Sequence, residues 1–349
     1  MSSMNTMRCP NKNVDMVRLR LNWNKKCTIP KRNMPTPAGY LSRSPRCLFI
    51  HSAQFNRCPA SSTRIVTKAT PRADVKLIAS DVDGTLLNHQ QQLTPAVEAA
   101  VKQAAALGVP LVVATGKARG PWAREVLPRL GLTTPGVFLQ GLLVYDADGT
   151  RLYEQQLPED VARDCIALAK AQGITLTAYC GERILCAATD GHTDRLSFYK
   201  EPPPEAVGDL AQIVGEVPIQ KLIFMAEQDV IETLRPRVEL LLTGRASLTT
   251  ALSGMLEVLP LGASKGAGLS WLLEHMGVDP AHVMALGDGE NDVEMLQLAG
   301  LGVAMGNAAA KAKSAADVVL EETNDEDGVA KAIIRYVLEP RLVAVQAPS

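Results

Sequence analysis

The sequence predicts an α/β protein, a doubly wound (Rossmann-like) parallel sheet interrupted by an inserted α/β segment. Three observations carry this. From Asp74 onward, short apolar runs alternate with helix-patterned segments. Between about residues 158 and 254 the texture changes, and the alternation resumes from Glu257. Residues 1–73 differ from everything after them in charge and composition. The expected division is a leader at 1–73, a first part of the core at 74–157, an inserted cap at 158–254, the second part of the core at 255–340, and a tail at 341–349.

Each element has a local reason. Val75-Lys76-Leu77-Ile78-Ala79-Ser80 reads as a short buried strand. Thr94 and Pro95 occupy the N-cap and first-turn positions of a helix that Gly108 stops. Residues 109–114 form the next apolar strand, and Pro121 opens a helix that ends near Gly131. This β-α-β-α order implies a parallel sheet with helices on both faces. In the middle, a helix over 159–172 leads to a strand-like run at 174–179 and then a polar stretch. The Pro-rich residues 201–205, a strand at 220–225, a helical piece at 229–242 and another strand-like run follow. The core then returns with helix 265–276, strand 282–286, helix 291–298, strand 302–305, helix 308–316, strand 318–320 and a last helix over 328–338.

The net charge of −1 conceals two opposite halves. Residues 1–73 hold fourteen Lys/Arg and one acid, Asp15; the remainder holds 22 bases and 36 acids. The leader is rich in Arg, Lys, Ser and Thr, and has no apolar region long enough for a secretory signal. It reads as an organelle transit peptide, for the chloroplast (plastid stroma) ahead of the mitochondrion. The acidic remainder argues against nucleic acid as the main partner. Four of the seven cysteines lie in the leader, leaving Cys165, Cys180 and Cys186 without a CxxC pair or a disulfide framework. No run reaches the roughly 18 apolar residues of a membrane span, so no membrane partner is expected.

Parallel α/β sheets place ligands outside the carboxyl ends of their strands, and four such ends here carry one chemical theme. Asp81-Val82-Asp83-Gly84-Thr85 follows the first strand. A bare DxDG is an ordinary solvated turn. After a buried strand, its first carboxylate can attack phosphorus and bind Mg²⁺, while the second serves as acid and base. Thr115-Gly116-Lys117 closes the second strand, where a hydroxyl and a glycine N–H can hold a phosphate oxygen. Lys265 heads a helix, a place the macrodipole disfavours for a cation unless carboxylates stand nearby. Gly287-Asp288-Gly289-Glu290-Asn291-Asp292 ends a later strand. It is not an EF-hand loop, since the sixth and twelfth positions from Asp288 hold Val293 and Ala299.

In this order the four motifs resemble the haloacid dehalogenase superfamily over about residues 74–338. The resemblance implies Asp81 as nucleophile and metal ligand, and Asp83 as general acid/base that also binds Mg²⁺ through its backbone carbonyl. It implies Thr115, Gly116, Lys265 and Asn291 as phosphate-binding groups, Asp288 as the further metal ligand, and Asp292 as support for Lys265 or a water. An insert between the Thr-Gly motif and the lysine resembles the C2-type cap of the Cof subfamily, whose caps close over small phosphorylated metabolites. Gly302–Ala308 and Glu326–Ala330 look like that subfamily as well. Pro135–Tyr145 and Glu294–Ala299 resemble the hydrolase half of plant plastid proteins that also carry a YbeY-type endoribonuclease domain. The five histidines here do not supply the three-His cluster of that ribonuclease, so only the hydrolase reading carries over. Lys117 and Gln140 stand where the subfamily often has Arg and Asn, which touches substrate selectivity rather than phosphoryl chemistry. The cap offers Tyr179, Arg183, His192 and Lys200 as substrate contacts, against a plainer reading as surface or packing residues. The expectation is a Mg²⁺-dependent phosphatase of a small phosphomonoester. A phosphomutase and a non-catalytic protein on the same scaffold are the alternatives; the latter would show a substitution at Asp81, Asp83, Lys265 or Asp288, and none is present.

Overall fold

The structure is a computed structural model that describes residues 74–346; the expected transit segment lies outside the described residues. The chain enters through β1 (Leu77–Ser80), α1 (Pro95–Ala106), β2 (Leu111–Val113) and α2 (Pro121–Leu130). Thr94 caps α1 by accepting from Val97 N–H. A small antiparallel sheet of β3 (Gly136–Phe138), β4 (Leu143–Tyr145) and β5 (Arg151–Glu154) leads into the cap. The cap contains α3 (Glu159–Gln172), β6 (Thr175–Cys180), β7 (Arg183–Cys186), α4 (Gly191–Phe198), β8 (Pro204–Ala206), β9 (Lys221–Met225), α5 (Gln228–Leu241), β10 (Ala246–Thr249) and β11 (Met255–Pro260). The chain returns through α6 (Lys265–Met276), β12 (Val283–Gly287), α7 (Val293–Leu298), β13 (Leu301–Ala304), α8 (Ala310–Ala315), β14 (Val318–Val319), α9 (Gly328–Ile333) and α10 (Glu339–Gln346).

The core sheet has the order β14-β13-β12-β1-β2 and every pairing is parallel, as the β-α alternation predicts. β1 and β12 are completely buried, which is why both read as continuous apolar runs rather than alternating ones. Burying one such Leu or Ile stabilises the fold by about 1.5–3 kcal/mol. The final helical stretch continues to Gln346, and Arg341 donates to Val75 O, so the expected tail is tied to the segment that leads into β1. No helix among the described residues is long and apolar enough to cross a membrane.

The cap sheet has the order β10-β11-β9-β6-β7-β8. A boundary at residue 254 would assign β11 to the core, but it pairs antiparallel with β9 and β10 inside the cap sheet. Its six buried residues fit either sheet by pattern, and only the long-range pairing decides. Side chains alternate across this sheet with period two. Leu176, Ala178, Leu222, Phe224, Leu256 and Val258 join α3 and α5 in a cap core of their own. Tyr179, Ile223, Met225, Met255 and Leu259 belong instead to the main hydrophobic cluster, which places the opposite face of the sheet against the core domain. Lys221 and Glu257 share that opposite face by the same alternation.

Candidate active site

Asp81 leaves the carboxyl end of β1 with its N–H bonded to Leu286 O of β12, so two adjacent strands fix its position. Its side chain is buried. The loop after it turns at Gly84, whose φ of +74° suits glycine. A side chain there would also collide with the Asp288 carboxylate, so glycine is required on both counts. Lys265, at the first turn of α6, donates from Nζ to Asp81 Oδ1 at 2.5 Å and to Asp292 Oδ1 at 2.8 Å. The two carboxylates explain a cation at a helix N-terminus. Burial alone would lower the Lys265 pKa, but Asp292 and Asp81 outweigh it and hold the ammonium above its ordinary range.

Asp288 ends β12. Its Oδ1 accepts from Thr85 Oγ1 at 3.0 Å and its Oδ2 from Asn307 Nδ2 at 3.3 Å. Asp292 Oδ2 accepts from the N–H groups of Asp288 and Gly289. Asp81, Asp288 and Asp292 thus bring one oxygen each within 4.8 Å of one another. Burial first, and then Asp292, push Asp81 well above the carboxylate range and Asp288 up to about 7. Lys265 offsets only part of this. The trio has the donor chemistry of a hard divalent cation, whose charge would relieve the repulsion. Asp292 is committed to Lys265 and to two backbone N–H groups, whereas Asp81 and Asp288 line the cavity.

Asp83 does not join the trio. Its Oδ1 accepts from Lys117 Nζ at 2.9 Å. Lys117 is buried and its ammonium also donates to Gln91 Oε1 and to the Tyr199 carbonyl of the cap. Thr115 is fully buried at the end of β2. Its hydroxyl oxygen accepts from Lys117 N–H, which leaves the hydroxyl proton for an incoming oxygen. Asn291 donates from Nδ2 to Gln140 Oε1 at 3.1 Å.

The cap covers this end of the sheet. Ala118 N–H donates to Glu201 Oε2, Trp122 N–H to Lys200 O, and Lys221 Nζ to Gly116 O. A cavity remains between the domains, lined on the core side by Asp81, Asp83 and Asp288 and on the cap side by Tyr179, Lys221 and Met255.

A family model described as haloacid dehalogenase-like hydrolase matches residues 78–333, which contain all of these groups. The chain belongs to the haloacid dehalogenase-like hydrolase family. It is therefore an enzyme of the hydrolase class, with an α/β core and an inserted cap. Over 270 residues it is 43% identical to a protein of Arabidopsis thaliana named chloroplastic endoribonuclease YBEY, covering 74% of this chain and 46% of that one. The chain thus spans about half the length of that relative. The 5-amino-6-(5-phospho-D-ribitylamino)uracil phosphatase YcsE of Bacillus subtilis is 33% identical over 270 residues, covering 76% of this chain and 97% of that one. A HAD/COF-like hydrolase of Plasmodium vivax matches in structure with a TM-score of 0.70 at 25% identity, covering 77% of this chain and 97% of that one.

Within this hydrolase, the structure gathers Asp81, Lys265, Asp288 and Asp292 into one hydrogen-bonded group, and sets Asp83 beside Lys117. Of the four cap residues singled out in the sequence, Tyr179 lines the cavity. Arg183 pairs with exposed Glu205, and Lys200 pairs with Glu125; neither they nor His192 line it. Sequence reasoning missed Thr85, Asn307, Glu201, Lys221 and Glu257 as members of the site. For Lys221 and Glu257 a signal existed, since each is a charged residue in an otherwise apolar strand.

Proposed function

We propose that this hydrolase is a Mg²⁺-dependent phosphatase that cleaves a small phosphomonoester, a sugar phosphate or a phosphorylated cofactor, through an aspartyl-phosphate on Asp81. The observation that carries the reading is the buried Asp81 carboxylate, held by Lys265 and facing the cavity beside Asp288. Lys265 places the nucleophile with one ammonium proton and Asp292 with a second, leaving the third for a phosphoryl oxygen. The Thr115 hydroxyl, Gly116 and Asn291 hold the remaining phosphoryl oxygens. Asp81 attacks phosphorus, the ester P–O bond breaks, and Asp83 gives its proton to the departing oxygen. Asp83 then takes a proton from water as that water attacks the aspartyl-phosphate, which frees inorganic phosphate and restores Asp81. Mg²⁺, held by Asp81, Asp288 and the Asp83 backbone carbonyl, would neutralise charge on the transferring group.

The phosphorylated substrate of the Bacillus relative supports a small metabolite, and Tyr179, Leu196 and Met255 supply apolar surface for its organic part. The plastid is the proposed location, supported by the basic leader and by the chloroplastic Arabidopsis relative. The test is a phosphate-release screen of the full chain, with and without Mg²⁺, across sugar phosphates, nucleotides, flavin mononucleotide and pyridoxal phosphate. Mg²⁺-dependent release that Asp81→Asn reduces to below about 1% of wild type is expected, since an amide cannot form the intermediate. Substantial residual turnover in that variant removes the assignment.

A further inference from the structure

Gln140 lies outside the phosphoryl chemistry, yet it is among the most constrained residues of the site. It is fully buried. It and Leu139 both hold left-handed backbone conformations, with φ of +61° and +49°, which non-glycine residues seldom adopt. Such strain persists where the surrounding structure enforces it, and it collects at functional sites. Here the enforcement is visible. The Gln140 N–H donates to Thr115 O at 3.0 Å. Its Nε2 donates to Glu257 Oε1 at 3.0 Å, and its Oε1 accepts from Asn291 Nδ2 at 3.1 Å. Glu257 Oε2 in turn accepts from Lys221 Nζ at 2.7 Å, and that ammonium donates to Gly116 O at 2.8 Å above the Tyr179 ring. The bonds close a buried ring through Thr115, Gly116, Lys221, Glu257 and Gln140, with Asn291 attached. Two of its members are a buried ion pair on the cap sheet, and such pairs are weak contributors to stability when apolar residues could replace them.

We infer that Gln140 is a positioning residue that ties the placement of the cap sheet to the orientation of Asn291 and the Thr115–Gly116 loop, with Lys221 and Glu257 as its cap-side partners. The inference rests on the phosphatase reading for the roles of Asn291 and Thr115. The side chain must donate to one neighbour and accept from another. Leucine would take away the donor to Glu257 Oε1 and the acceptor of Asn291 Nδ2, and glutamate would set two carboxylates against each other. Gly116 contributes by leaving room, because a side chain there would lie within 2.5 Å of the Gln140 amide. The ring acts only on groups that meet the phosphoryl oxygens, so it governs turnover more than the grip on the organic part of the substrate.

The test uses the full chain and four variants, Gln140→Leu, Gln140→Glu, Glu257→Gln and the exchanged pair Gln140→Glu/Glu257→Gln. In the exchanged pair the new amide at position 257 donates to the new carboxylate at position 140 and accepts from Lys221. That carboxylate also accepts from Asn291, so every contact keeps one donor and one acceptor. Readouts are kcat and KM for p-nitrophenyl phosphate, the affinity for tungstate as a phosphate analogue, and the melting temperature. Gln140→Leu is expected to lower kcat about 10–100-fold with KM within about threefold, and to weaken tungstate about tenfold. The single charge variants are expected to be impaired, and the exchanged pair to recover at least about tenfold over Gln140→Glu. A folded Gln140→Leu with wild-type kcat and tungstate affinity overturns the inference, as does an exchanged pair no better than its single variants. Failure of the phosphatase reading would look different, as an absence of Mg²⁺-dependent turnover by the wild-type chain, and tungstate affinity would still test the ring.

Discussion

Replacing Glu201 by Gln should stabilise the protein, and increasingly so as pH rises. Glu201 is buried at the seam between cap and core, where its Oε2 accepts from Ala118 N–H. Burial pushes its pKa up to about 8, although Lys117 and Lys221 pull in the other direction. In the unfolded chain the ordinary value of 4.5 applies. Because the folded pKa is the higher one, the folded state binds more protons between those values. The stabilising contribution is complete below pH 4.5 and is lost as pH rises toward 8. The loss between pH 4.5 and pH 7 is on the order of 3 kcal/mol, approaching ~5 kcal/mol above pH 8. Opening of the cap returns Glu201 to water at smaller expense than unfolding, so these figures are ceilings. Glutamine keeps an oxygen for Ala118 and removes the ionisation. Thermal melts of wild type and Glu201→Gln at pH 5, 7 and 9 should therefore agree within a degree or two at pH 5. They should then diverge in favour of the variant, by up to about 6–12 °C at pH 7. Melting curves that differ by the same amount at every pH, or not at all, would refute the burial argument.

Three further outcomes are expected. Asp288→Ala should raise the Mg²⁺ concentration for half-maximal activity by at least about tenfold while leaving the metal-free melting temperature unchanged or higher, because it removes one of three mutually repelling carboxylates. Unfolding with normal Mg²⁺ kinetics would make Asp288 structural. Lys117→Met, which strips Asp83 of its cation, should lower kcat/KM for an alkyl phosphate about tenfold more than for p-nitrophenyl phosphate, whose leaving group needs little protonation. Equal losses on both substrates would detach Lys117 from the acid step. Gly84→Ala should destabilise by about 1–3 kcal/mol and lower Mg²⁺ affinity together, since the new methyl meets the Asp288 carboxylate at a left-handed position. A melting temperature within a degree of wild type would contradict this.

The parts of the fold that follow from local rules were legible in the sequence. Thr94-Pro95 opens α1 and Gly131, at a φ of +64°, ends α2, just as cap and stop residues predict. The short, mainly apolar β1 and β12 announced a parallel sheet buried on both faces, and the polar residues at their ends announced the site. The cap hid more. β7, α4 and β8 lie within the polar and Pro-rich stretch, where α4 is held by the Asp190–Thr193 capping box rather than by a strong apolar face. β8 is an edge strand, which is where proline can be tolerated. Lys117 and Gln140 were visible only as departures from a motif, because their partners Tyr199 and Glu257 come from pairings made across 82 and 117 residues of chain.

β1, the strand that carries Asp81, leaves the ribosome early and finds one of its two neighbours late. Leu77 pairs with Val283, and Thr85 reaches Asp288 across 203 residues. Every contact that defines the acidic trio waits for that return, so the candidate site has the slow assembly expected of non-local parallel pairing. The cap does not wait, because its own hydrophobic cluster draws only on residues 157–258 and can consolidate while the second half of the core is still being translated. Until then β1 and β2 form an unfinished sheet with an open apolar edge, the stage at which aggregation or chaperone capture would act. Substitutions in β12 should therefore reduce the yield of soluble protein more than equally buried substitutions in α3.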